Sequence, residues 1–220
     1  MKKKIIFIII FFVFFSKITI TLYSQNISLD QYSNNLMQYF QNPNNNVIYQ
    51  TIEVYKLGLR HENLESTVIF FFHGIKASDI ERYNYFSSVV RQSGIQELIN
   101  IFRLLDGDEI EIFLLNPVIH PELIDAYWTL YFSSGDEAYL QNIIDIILNY
   151  RESEDFVLYM SARGAIVTYK MNIRTYPTVM EYLINNTETE LSSYIIERSF
   201  QEMERDTMEY IRMQREIGNW

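Results

Sequence analysis

A chain of 220 residues, 48% hydrophobic and 15% aromatic, has enough apolar material for one domain with a full core and too much for wholesale disorder. It contains no cysteine, which excludes thiol nucleophiles, disulfides, zinc knuckles, iron–sulfur clusters and a lipid-modified N-terminal cysteine. The formal charge of −10 becomes −14 without the first 25 residues, which hold four lysines and no acid, and so acidic a surface repels the phosphate backbone of nucleic acids.

Met1-Lys2-Lys3-Lys4 followed by the apolar run Ile5 to Phe15 has the form of a secretory signal peptide. Lys17 ends that run well short of the ~20 residues a bilayer span requires. Residues 1–25 are therefore expected to be a cleaved signal, with cleavage near Ser24 or Gln25. The alternative is an uncleaved anchor in which Lys17 snorkels. Both place the remaining chain outside the cytoplasm, periplasmic or secreted, with the membrane touched only through this segment.

From residue 26 onward the apolar positions recur with helical spacing. Ser28 is expected to cap a helix carrying Leu29, Tyr32, Leu36 and Tyr39/Phe40, and the Asn42-Pro43-Asn44 turn ends it. A second helix follows from Val47, with Val47/Ile48, Ile52 and Tyr55 inward. Thr67 to Gly74 suits a buried strand or a buried helix equally well. Ser78-Asp79-Ile80-Glu81 has the S-x-x-E capping-box pattern for a helix running to about Gln92, closed by Gly94. Ile95, Leu98, Ile99 and Phe102 form the next stripe. Asp108 to Leu115 alternates and could be a short strand or an extended connection.

Pro121 is suited to the first position of a helix bearing Leu123, Tyr127, Leu130 and Tyr131. Gly135 supplies the positive φ of its C-terminal cap. Tyr139, Leu140, Ile143, Ile144, Ile147 and Leu148 then make the cleanest amphipathic stripe in the chain. Phe156 to Met171 presents a slim face of Leu158, Ala162, Ala165 and Tyr169, which invites close helix packing. Pro177 opens a short helix with Val179, Met180 and Leu183 inward. Glu190 to Glu216 reads as one long charged helix. With only seven glycines and four prolines to make tight turns, the expected class is all-α. The expectation is a single domain over residues 26–220 of stacked short helices, α-solenoid-like or a compact bundle.

The stretch Pro121 to Leu148, with Pro121, Leu123, Asp125, Trp128, Phe132, Gly135, Asp136 and Tyr139, resembles a family of secreted bacterial helical proteins. In that family a proline-led aromatic helix runs into an "ATGD"-like turn. Tyr39-Phe40-Gln41-Asn42-Pro43 and Val68 to Phe72 are similar to two further motifs of the family, as is the stretch from Ser161-Ala162 through Asn172 to Tyr176-Pro177. Arg163 stands where the resemblance would put a tryptophan. The resemblance implies an exported helical domain and a helix at Thr67–Gly74; it implies no activity.

Candidate sites are weak by spacing. Val68 to Gly74 could be the strand and His-Gly turn of an α/β-hydrolase, with Ser161 as nucleophile. Tyr159 and Arg163, however, flank Ser161 where an elbow needs small residues, and no histidine follows it to complete the triad order. His61, His73 and His120 are the only histidines, and none has a second histidine three or four positions away. A site of His73 with Asp79 or Glu81 is the remaining metal arrangement. The acid pairs Asp106/Asp108 and Glu109/Glu111 suit exposed turns better than acid–base work. Trp128, Tyr131 and Phe132 suit core packing first and a peptide groove second. Asp136 suits a helix cap.

No catalytic, cofactor-binding or metal residue is therefore expected, and no cofactor. The expected role is a non-enzymatic module that binds a protein or peptide. An immunity or inhibitor protein against a basic toxin is the first alternative, and a hydrolase the second.

Overall fold

The computed structural model describes residues 28–59, 64–115 and 117–220. The signal-like segment and His61 lie outside the described residues. Among those described, every regular element is helical, and they pack as a compact bundle in which each helix starts or stops for a local reason.

Ser28 opens α1 (Leu29–Met37) by accepting from the Gln31 amide at 3.1 Å. A 3-10 turn (Tyr39–Gln41) leads to α2 (Asn46–Lys56), and the buried Tyr32 hydroxyl bonds Thr51 Oγ1 at 2.8 Å to hold α1 against α2. Buried positions on α2 are Val47, Ile48, Ile52 and Val54, with Tyr55 only half-buried.

The ambiguous Thr67–Gly74 run lies within α3 (Leu64–Ser78), whose Val68, Phe71, Phe72, His73 and Ile75 are buried. Asp79, one residue after the serine expected to cap, caps α4 (Ile80–Ser93) by accepting from the Arg82 amide, while the Ser78 hydroxyl turns back to Gly74 O. Gly94 closes α4 with φ 72°. Helix α5 (Gln96–Asp106) is pinned to α4 by Asp106, which accepts from Tyr83 at 2.9 Å and Arg91 at 3.1 Å.

Asp108–Leu115 is not extended: residues 109–115 form α6 (Glu109–Leu115). The apparent alternation does not describe one face, because Ile110 is buried and Ile112 is 61% exposed. Ile110, Phe113 and Leu114, spaced for a helix, all pack on the core clusters.

Pro121 occupies the first turn of α7 (Pro121–Ser134), which Gly135 ends at φ 73°. Asp136 accepts from the Ala138 amide at the start of α8 (Ala138–Tyr150). Helix α9 (Phe156–Ile173) is capped by Asp155 and buries the small Ala162 and Ala165 with Tyr169. Pro177 begins α10 (Pro177–Asn186); Val179 and Leu183 face inward, whereas Met180 is exposed.

The expected single helix from Glu190 to Glu216 is two, α11 (Thr189–Glu197) and α12 (Phe200–Glu216). Ser199 and Glu202 form a reciprocal capping box that starts α12 anew, and Arg198 just before it is extended. The buried Lys170 ammonium donates to Ile195 O at 2.9 Å and Ile196 O at 3.0 Å, satisfying carbonyls at the end of α11.

The core forms two clusters, one across α1 to α6 and one across α7 to α12. Phe70 and Leu114 touch both. The halves meet chiefly where α3 lies along α7. A Cβ at Gly74 would collide with the Ser133 hydroxyl and lie 3.2 Å from Leu130 O, so the approach there requires glycine.

Candidate functional site

The positions proposed for a hydrolase are not assembled. His73 and Gly74 are buried in the middle of α3, not in a turn after a strand. Ser161 is fully buried within α9, its hydroxyl donating to Val157 O at 2.8 Å, as a helical serine does when it bonds its own backbone. A nucleophile elbow needs a strand-to-helix turn, and no strand occurs among the described residues.

His73 does not meet Asp79 or Glu81; Asp79 caps α4 and pairs with Arg82 at 3.4 Å. Among the described residues no three side chains are grouped to hold a metal ion.

His73 faces Glu111 on α6 across 3.9 Å, and Lys76 lies 3.4 Å from the same carboxylate oxygen. Burial lowers the His73 pKa below the usual imidazole value, with Lys76 adding to the effect and Glu111 opposing it. The unfolded chain therefore takes up this proton first as pH falls. The His73 contribution to stability is whole above the unfolded value of about 6.5 and is lost progressively below it. Urea unfolding at a series of pH values from about 8 to about 5 should show a fall in stability that is shallower in His73→Leu. An identical slope in the variant would remove His73 as its source.

An open groove of about 720 Å³ lies where α1, α3, α6, α7 and α9 converge. Leu36 and Met37 on α1, Phe70 and Phe71 on α3, Phe113 on α6, and Trp128 and Phe132 on α7 line it, with the exposed Met171 of α9 at its edge. Trp128 stacks on Phe132 with centroids 5.8 Å apart, and its indole N–H donates to Thr168 Oγ1 at 3.0 Å. Phe70 leans on Phe113 at 5.9 Å. The polar rim comprises His120, Glu122, Asp125, Thr129 and Asn172.

Of the aromatic trio singled out in the sequence, Trp128 and Phe132 thus serve both core and groove wall. Tyr131 belongs to the core alone, packed on Phe40 at 4.9 Å and off the groove. Met37, Phe70, Phe113 and Met171 were not singled out as lining, because each reads as an ordinary apolar position of its own helix.

A second cleft, also about 720 Å³, lies between α9, α11 and α12. Several of its polar groups are engaged within the bundle. Arg163 donates to Thr207 Oγ1 at 2.7 Å, Tyr194 OH at 2.9 Å and Met203 O at 2.8 Å, and Tyr194 donates to Asp206 at 3.0 Å. Arg163 therefore clamps three helices where the resemblance would have a tryptophan. The cleft is structural, and the aromatic groove is the candidate site.

The fold and site define an all-helical bundle with an aromatic-lined groove. Comparisons with known protein families, curated proteins and solved structures find no match. Among the described residues no helix is long and apolar enough to cross a membrane.

Proposed function

We propose that this chain is an exported, non-enzymatic module that binds a peptide segment of another protein in the groove between α1, α3, α6, α7 and α9. The observation that carries this reading is the groove itself. The half-buried Phe70 and Phe113 and the exposed Met171 stand in it, backed by the buried Trp128 and Phe132, an apolar trough of the kind in which peptide segments dock. Export is supported by the lysine-led apolar segment at residues 1–25 and by the resemblance over Pro121–Leu148 to secreted helical proteins.

Filling the groove tests the reading. Thr129 and Met171 line it without belonging to the core, so Thr129→Trp and Met171→Trp should block binding while leaving the unfolding midpoint close to that of the parent. A labelled peptide with a Trp-Leu-Phe centre, followed by fluorescence anisotropy, is expected to bind the parent and lose at least about tenfold in affinity to each variant, a loss of about 1.4 kcal/mol. Unchanged affinity in both variants would move the site elsewhere.

A second reading, an immunity or inhibitor protein against a basic toxin, is favoured by the charge of −14 on the chain without its first 25 residues. A reading frame for a basic toxin beside the gene would support it, and the lack of protection against that toxin would exclude it.

A further inference from the structure

The groove's rim is charged with one sign. Glu122 and Asp125 stand on α7 at its mouth, and neither lysine nor arginine is among the residues that line it. Glu122 has only His120 beside it, at 3.4 Å, and its side chain is 85% exposed. The Asp125 carboxylate has no hydrogen-bond or ion-pair partner among the described residues. Elsewhere three acids are met by cations: Glu202 by Arg198, Asp106 by Arg91, and Glu111 by Lys76. The groove thus sets uncompensated negative charge beside the half-buried Phe70 and Phe113 and the exposed Met171.

We propose that the occupant of the groove is a basic peptide segment, in which an aromatic or aliphatic anchor lies against Phe70, Phe113 and Met171 and a flanking lysine or arginine pairs with Asp125 and Glu122. This rests on the binding role proposed above and adds the chemistry of the partner. An open trough of about 720 Å³ holds several side chains of a segment, and apolar burial alone would not tell one amphipathic sequence from another. The carboxylates supply the distinction, because a cation placed against them gains attraction and a carboxylate placed there is repelled.

Desolvation in the groove, with the nearby Glu122 adding to it, raises the Asp125 pKa above the usual carboxylate value. A cation there favours the ionised form, so binding should strengthen as pH rises through the Asp125 titration.

The test uses the protein as its cell processes it and three fluorescein-labelled peptides that share one Trp-Leu-Phe centre, flanked by lysines, glutamines or glutamates. The lysine peptide should bind about tenfold more tightly than the glutamine peptide, and the glutamate peptide more weakly than either. The double variant Glu122→Gln/Asp125→Asn should bring the lysine peptide to the level of the glutamine peptide and leave the latter unchanged. Added salt should narrow the gap in the parent protein and have little effect in the variant.

Equal binding of the lysine and glutamine peptides, or an unaltered preference in the double variant, would overturn the charge inference and leave the groove reading standing. Binding of none of the three would overturn both. Pairing of two copies of this chain through the groove, seen as a dimer that the lysine peptide does not dissociate, would also overturn it.

Discussion

Gly74→Leu is expected to destabilise the bundle by at least about 3 kcal/mol, measured by urea unfolding. Glycine inside a helix is ordinarily a liability, and leucine at an exposed helical position would gain about 1 kcal/mol. At Gly74 that gain is outweighed, because the side chain would enter the contact between α3 and α7. There the Ser133 hydroxyl is in the way, and Leu130 O and Ser133 Cβ are each 3.2 Å from the first carbon added.

Backbone on the facing helix cannot rotate aside, so relief requires α3 and α7 to separate and the two core clusters to part. Gly74→Ala should cost less, since its hardest contact is with a movable hydroxyl. Combining it with Ser133→Ala should recover part of the loss, because the remaining contacts yield by a few tenths of an ångström. A Gly74→Leu protein as stable as the parent would show that α3 and α7 do not meet as described.

Phe72→Ala is expected to cost about 3–5 kcal/mol, a large part of the stability of an ordinary domain. Phe72 is fully buried and joins the aromatic centre of the first cluster: Phe71 at 5.3 Å on its own helix, Phe86 of α4 at 5.8 Å and Phe102 of α5 at 5.0 Å. Two of these neighbours meet it nearly edge to face, the arrangement that adds to area burial. Truncation leaves a cavity that three rigid helices cannot collapse around.

The comparison with Phe70→Ala makes the test specific. Phe70 is only partly buried and stands in the groove wall, so its loss should cost clearly less in stability and more in peptide binding. Equal stability losses at the two positions would contradict the assigned burial.

Much of the architecture was legible in the sequence because its helix signals are local. Ser28, Pro121, Gly94, Gly135 and Pro177 each act within one turn of their own position, and each does what its chemistry requires. The misreadings arose where two local signals competed. Ser78 and Asp79 both suit a cap, and the aspartate took the position, leaving Ser78 as the last residue of α3. Ser199-Phe200-Gln201-Glu202 carries the same capping pattern as the Ser78 stretch. It was masked by the apolar stripe that runs on from Leu191 and Ile195 to Phe200 and Met203. Ile110, Ile112 and Leu114 mimicked strand alternation over too short a stretch to separate period two from period 3.6.

The groove was legible only in part, through Trp128 and Phe132. Its other rings come from positions tens of residues apart, and their convergence is a property of packing that no spacing along the chain records.

The most direct test of the groove as the binding site is an NMR titration of isotope-labelled protein with the lysine-flanked Trp-Leu-Phe peptide. Shifts are expected at the Trp128 indole N–H and at the backbone amides of Ser33, Asp125, Thr129 and Met171, all of which line the groove. Shifts gathered instead around Arg163, Tyr194 and Asp206 in the second cleft, or no shifts at saturating peptide, would contradict the account.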